Sequence, residues 1–278
     1  MEPDLLKPTR KPIALLTDFG GEGFYVGAMK GAILAADPRA VVVDITHDIK
    51  PHSIDEGSYV LARVLDVFPA GTVFVAVVDP GVGGPRRNLL ATAGGRYVVG
   101  PDNGLLTDVE IMCGLDEVYS IRPSAAARVR KHPAVGDTFL GRDVFAPVAA
   151  ALARGTPAGA LGSRVKALKM IDIPLVECGD RTIAGTVRYV DAFGNMLTDI
   201  SGVHIEKTFG TRPLERIGVL VDNRPVVEGI RRYFAQGCEG ELMALLNSWN
   251  MVELCVNGGR AADRFEGLAR IDVRLTAL

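Results

Sequence analysis

Three near-continuous apolar runs constrain this chain most: "IALLT" at 13–17, "AVVVDIT" at 40–46 and "TVFVAVVD" at 72–79. A strand with one wet face alternates apolar and polar residues. These runs do not, so both of their faces must be covered. Stretches with helical spacing lie between them. One is "FYVGAMKGAILAADP" at 24–38, closing before Pro38. The other is "SIDEGSYVLARVLDVF" at 53–68, with Ser53 placed as N-cap and Glu56 three residues on. Strand and helix in alternation predict an α/β domain with a mostly parallel sheet between helices. "YVVG" (97–100) and "EVYSI" (117–121) add short strands, and "RDVFAPVAAALARG" (142–155) reads as the last helix of this half.

The character changes after Gly162. "RTIAGTVRYVDAFGN" (181–195), "IGVLVDN" (217–223), "MVELCVNGG" (251–259) and "ARIDVRL" (269–275) alternate and turn, and the one helical signal is in "VEGIRRYF" (227–234). The second half is therefore expected to be a smaller all-β, barrel-like domain. The division is placed at 1–165 and 166–278, within a window of 163–178.

Composition narrows the function classes. Of 278 residues, 48% are hydrophobic and 23% charged, and the net charge is −2. That is the balance of a packed globular protein. It carries no basic stripe for nucleic acid; the locally basic "RPSAAARVRKH" (122–132) reads as a solvated loop. No apolar run approaches the ~20 residues that span a bilayer, and the polar N-terminus has no apolar core of a signal peptide. Cys113, Cys178, Cys238 and Cys255 are far apart with no CxxC pair, which predicts small buried hydrophobes in a reducing, cytoplasmic setting. No His, Cys or carboxylate cluster has metal-ligand spacing.

Ligands of open parallel sheets sit beyond the carboxyl ends of the strands. Asp18 and Asp79 each follow a predicted strand, so they are expected on one edge. After Asp79 comes "PGVGGPRR". A phosphate loop would need GxxxxGK with Ser or Thr, and a dinucleotide loop G-x-G-x-x-G after the first strand; neither pattern occurs here. The stretch is a plain glycine turn or a holder of a carboxylate. Arg86, seven residues on, and Asp18 on the same edge favour the holder.

"LLTDFG" (15–20), "VVDPGVGGPRR" (77–87), "VGPDNGLLT" (99–107), "TFLGRDVFAP" (138–147), "VDAFGNMLTDI" (190–200) and "NSWNMVELCVNGGRAA" (247–262) occur in that order. Together they resemble the S-adenosyl-L-methionine (SAM) hydroxide adenosyltransferases, adenosine-forming SAM hydrolases related to the fluorinase and chlorinase. The resemblance implies attack of water or hydroxide on the ribose C5′ of SAM, without cofactor or metal. It also implies a homotrimer with the site between neighbouring subunits. Asp79 stands where the halogenases carry Tyr, and the segment between Arg87 and Tyr97 is short, which places the chain nearer the hydrolases.

By this resemblance Asp79 and Arg86 activate the nucleophile together with a histidine of a TFHGRD motif. Here that position is Leu140. The implied outcomes are a slowed hydrolase or a SAM-binding protein without turnover; a halide-using transferase is disfavoured by the charge of Asp79. Asp18 corresponds to the carboxylate on the ribose hydroxyls, beside Phe19. Thr138, Phe139 and Gly141 line the nucleophile pocket, and Arg142 with Asp143 forms a structural pair. His132 is either a substitute imidazole or a surface loop residue. Asp191 and Asn195 match residues that hold the methionine ammonium and carboxylate, unless "DAFGN" is a plain turn. Phe193 contacts adenine or packs. The stacking aromatic is Tyr233 or Phe234. Ser248 belongs to the methionine carboxylate, and backbone around Asn257 to Ala262 reads adenine. Trp249 stands where the fluorinase has Arg, and Asn250 replaces a usual Gly.

Overall fold

The computed structural model describes residues 11–133, 136–266 and 271–278. Two compact units divide between Ile171 and Asp172. Sequence reading puts the division at 165/166, but residues 167–171 are bonded to the first unit. Ala167 O accepts from Arg87 Nη2 at 2.7 Å, Lys169 N donates to Asp102 Oδ1 at 2.7 Å, and Ile171 N donates to Thr107 Oγ1 at 3.0 Å.

The first unit runs β1 (Ile13–Thr17), α1 (Tyr25–Ala36), β2 (Val42–Thr46), α2 (Ile54–Val64), β3 (Val73–Val77), β4 (Asn88–Ala93), β5 (Arg96–Pro101), α3 (Thr107–Cys113), β6 (Glu117–Ile121), α4 (Pro123–Val129), a π-turn Gly141–Phe145, α5 (Ala146–Ala153), α6 (Ala158–Leu161) and β7 (Gly162–Arg164). The sheet order is β2-β1-β3-β5-β4-β6-β7. The first four strands of that order are parallel, and β4, β6 and β7 join by antiparallel pairing. Alternate residues face opposite sides. Ile13 and Leu15 pack with Met29 and Ile33 of α1 and the alanines of α5, while Ala14 and Leu16 pack with Leu61 of α2 and Val109 of α3. Both faces are covered at β1 and β3, as their unalternating runs require, but β2 is the edge strand of the sheet, and Val41 and Val43 of the run at 40–46 are exposed.

Ser53 caps α2, its side chain accepting the Glu56 N–H at 3.3 Å, whereas the Glu56 carboxylate accepts from Lys50 N at 3.0 Å instead of closing the box. Strand β4 escaped sequence reading; it returns to β5 through Gly94 and Gly95, at φ +52° and +76°, a two-residue hairpin that needs positive φ twice. The basic segment 122–132 is no loop. Pro123 opens α4 with Ala125 and Ala126 buried, and Arg122 donates to Gly162 O and Ala160 O at 3.1 and 2.8 Å. The prediction for the cysteines also fails: only Cys255 is buried, and Cys113, Cys178 and Cys238 are exposed.

The second unit has β8 (Glu177–Cys178), β9 (Thr182–Val190), β10 (Met196–Ser201), α7 (Gly202–Phe209), β11 (Ile217–Val221), β12 (Arg224–Glu228), β13 (Ile230–Arg231), β14 (Leu242–Leu246), β15 (Met251–Val256) and β16 (Asp272–Ala277). The strand path is β12-β11-β16-β9-β10-β15-β14-β13, with β8 beside β9. Its two end strands, β12 and β13, are joined by Gly229 alone, at φ +83° with its N–H on Ile217 O at 3.1 Å. A sheet whose ends are one residue apart in sequence must curl round, so the unit is all-β and barrel-like. The helix of this half is α7, capped by Ser201, and not "VEGIRRYF", which forms the β12–β13 corner. No helix among the described residues is long and apolar enough to cross a membrane.

At the carboxyl end of β5 a Cβ on Gly100 would lie 2.4 Å from Ala76 O of β3. Gly100→Ala is expected to lower stability by about 1–3 kcal/mol, read as a reduced urea midpoint at unchanged slope.

Candidate active site

Strands β1 and β3 pair in parallel with Thr17 opposite Val77. Asp18 and Asp79, just beyond, therefore share one edge of the sheet. Asp18 does not cap α1, whose N-cap is Phe24. Its Oδ2 accepts the backbone N–H of His52 at 2.9 Å, and it is part-exposed. Phe19 meets Phe139 edge-on with ring centres 5.9 Å apart, and Tyr25 meets Phe139 at 5.2 Å.

The 77–87 stretch holds a carboxylate. Arg86 Nε donates to Asp79 Oδ1 at 2.8 Å and Nη2 to Oδ2, a bidentate fork. The two side chains are only 4% (Asp79) and 10% (Arg86) exposed, and Arg86 also donates to Asn88 Oδ1. The loop itself turns by Val82 N to Asp79 O and Gly84 N to Gly81 O, and Gly83, at φ +79°, lies against Asp137 O. Two residues without an assigned role brace it. Asn103 Nδ2 donates to Val78 O at 2.8 Å, and the Asp102 carboxylate takes Arg87. Both belong to the quoted "VGPDNGLLT" motif; only the fold reveals that their partners are the two ends of the carboxylate loop.

A cavity of about 280 Å³ brings Arg86 together with Leu140, Asp143, Gly83 and Asp137. Leu140 stands at the start of the π-turn. Gly141 passes so close to Met29 Sδ and the Phe139 ring that a Cβ would sit at 3.1 and 3.3 Å from them. Thr138 is exposed beside this turn. Arg142 and Asp143 pair, at 2.7 and 2.8 Å, and His132 Nε2 adds a third contact to Asp143 Oδ1 at 2.8 Å. His132 is thus an anchored imidazole and not a free surface one. Burial alone would push the Asp143 carboxyl up; the hydrogen bonds and charges of Arg142 and His132 outweigh it and hold it below the usual range.

The second unit carries its own cavity, of about 640 Å³, lined by Asp191, Phe193, Asn195, Tyr233 and Ser248 among others. Both Tyr233 and Phe234 reach it, as does Trp249. Asp191 is engaged by its own turn, accepting from Phe193 N, Asn195 N and Asn195 Nδ2, each at 2.9 Å. Asn257 is not on this lining; its Nδ2 donates to Gly237 O at 2.8 Å and braces the 237–241 loop. Asn250 adopts φ +57°, the left-handed conformation its usual glycine would take.

Residues 13–162 match the N-terminal domain and residues 185–272 the C-terminal domain of SAM hydroxide adenosyltransferase. The chain belongs to this family. An (R)-S-adenosyl-L-methionine hydrolase of Salinispora arenicola is 38% identical over 95% of this chain and 97% of its own length. A fluorinase of Nocardia brasiliensis is 29% identical over 96% and 97%. A solved structure, an uncharacterized conserved protein from Thermotoga maritima, superposes with a TM-score of 0.88 at 31% identity, covering 95% of this chain and 99% of that one. In this chain residues 138–143 read Thr-Phe-Leu-Gly-Arg-Asp, with Leu140 at the start of the π-turn.

Asp143→Asn is expected to cost about 1.5–3 kcal/mol at pH 7, since a buried carboxylate with charged partners is lost. The folded-state pKa is depressed, so this contribution is present above the carboxylate's ordinary 3.8 and is lost as pH falls through the folded value. Wild-type and variant melting curves should converge only in that acid range.

Proposed function

We propose that this protein hydrolyses SAM to adenosine and L-methionine. The observation that carries the reading is the buried Asp79–Arg86 fork at the carboxyl edge of the sheet, in a chain whose relative at 38% identity is a SAM hydrolase. The oxygen of water attacks C5′ of the ribose in line with the C5′–S bond. That bond breaks with its electron pair moving to sulfur, and the water proton passes to a carboxylate or to solvent. Sulfur leaves as a neutral thioether, so the leaving group needs no protonation and no electrophilic metal. Water is a weak nucleophile and must be held near ~3 Å from carbon, in line. Each Asp79 oxygen gives one lone pair to Arg86 and keeps another for that water. Arg86 fixes the carboxylate in one orientation.

In this reading Asp18 holds the ribose, with Phe19, Thr138, Phe139 and Gly141 around the reacting carbon. The second-unit cavity takes the amino-acid end and the adenine. We propose, on the family resemblance, a homotrimer in which neighbouring subunits contribute to one site, acting without cofactor in the cytoplasm. A mass measurement in solution that gave a monomer would remove the shared site.

Leu140 cannot accept or relay a proton, so general-base assistance at that position is missing. Such assistance is worth about 10²–10⁴-fold. Purified protein incubated with SAM in chloride-free buffer should release adenosine and methionine in equal amounts, resolved by liquid chromatography. Asp79→Asn should abolish this, and Leu140→His should raise it within that range. SAM bound without products, restored to turnover by Leu140→His, would make the wild type a SAM-binding protein instead.

A further inference from the structure

The turn that follows β1 is held by a second segment of the first unit, residues 47–52 between β2 and α2. The two meet at four points. Gly20 N donates to His47 O at 2.8 Å, and Ile49 N to Thr17 O at 3.4 Å. His47 Nδ1 lies 2.9 Å from Thr17 Oγ1, and His52 N donates to Asp18 Oδ2 at 2.9 Å. His52 stands at φ +68°, a conformation costly for a residue with a Cβ, and from there its N–H meets Asp18.

The side-chain link has a direction. His47 Nε2 lies 3.1 Å from Asp44 Oδ1, off the line of a straight hydrogen bond, and Lys30 Nζ donates to Asp44 Oδ2 at 2.6 Å. Burial alone would push the Asp44 carboxyl up; the hydrogen bonds and charges of Lys30 and His47 outweigh it and hold it below the usual range. An ionised carboxylate beside Nε2 favours the proton on that nitrogen, which leaves Nδ1 to accept the Thr17 hydroxyl. Thr17 Oγ1 in turn accepts from Phe19 N at 3.3 Å. Thr17 is fully buried, so water offers its hydroxyl no substitute partner. The imidazole thus fixes a hydroxyl that holds the backbone of the residue after Asp18.

Asp18 itself is held lightly. Among the described residues its one hydrogen-bond partner is His52 N, whereas Asp79 is gripped at both oxygens by Arg86. A part-exposed carboxylate bonded at one oxygen takes its direction from the backbone beneath it. We propose that His47 is a positioning residue for Asp18, acting through Thr17 and the backbone of 18–20 to aim the carboxylate at the ribose hydroxyls. The assignment rests on the SAM reading above, in which Asp18 holds the ribose. Replacing the His47 side chain removes this one link and leaves the other three in place.

The test is calorimetric binding of adenosine and of 2′,3′-dideoxyadenosine, which lacks both ribose hydroxyls. The ratio of the two dissociation constants reads the grip on the diol, because a general loss of structure weakens both ligands alike. Wild type should prefer adenosine, and His47→Leu should reduce that preference roughly 10-fold. His47→Asn, whose Oδ1 replaces Nδ1 as the acceptor for Thr17, should restore most of it. Thr17→Val breaks the same link from its other end and should show the same loss, so a His47→Leu protein that fails to fold leaves the test intact. In an Asp18→Ala background the remaining preference should be unchanged by His47→Leu. A preference kept at the wild-type value in Thr17→Val or His47→Leu would overturn the assignment and leave the SAM reading standing. Equal weakening of both ligands would make His47 purely structural, and a further loss in the Asp18→Ala background would detach it from Asp18; either overturns the assignment. Wild type that shows no preference, or that binds neither nucleoside, would take down the ribose role of Asp18 and this assignment with it.

Discussion

The parallel pairing of β1 with β3 is the constraint on which the first unit depends. Because Thr17 lies opposite Val77, the chain leaves the sheet twice in the same direction, and Asp18 and Asp79 emerge at the same edge. Hydrophobic burial enforces the pairing: Ile13, Leu15, Val73 and Val75 face one helical layer, and Ala14, Leu16, Phe74 and Ala76 the other. A one-residue slip would exchange the two faces, pitting large side chains against packing built for small ones. The position of the Asp79 carboxylate is thus inherited from apolar contacts it does not itself make.

Charge is handled differently in the two units. Asp79 is neutralised where it stands, by a guanidinium that arrives within the same loop. The carboxylate is held in one direction without needing a ligand. Glu253 is left with a single amide donor in a mostly buried place. The first arrangement suits a group that must stay ionised and aimed before the substrate arrives. Leu140 is a third case, an apolar side chain beside Arg86 in the cavity of the first unit.

Much of the fold was legible. The runs at 13–17 and 72–79 declared strands buried on both faces, and the Ser53 cap began α2 where expected, whereas the run at 40–46 forms an edge strand whose exposure its composition did not show. Strand β4 was not legible, because "NLLATA" reads as strand only once its partner β5 is known. The segment 122–132 looked like a solvated basic loop because its arginines cap distant carbonyls, which local sequence does not show. Quoted motifs likewise hid the roles of Asp102 and Asn103.

By itself the sequence determined the layering, the edge that carries Asp18 and Asp79, and the family. These follow from periodicity and residue identity, which are local. The tertiary structure alone decided that Arg86 grips Asp79 with both ends of its fork, that Asp191 accepts three hydrogen bonds from its own turn, and that His132 anchors on Asp143. It also decided that Glu253 stands nearly unpartnered in a cavity. Those facts depend on which groups meet across strands and loops.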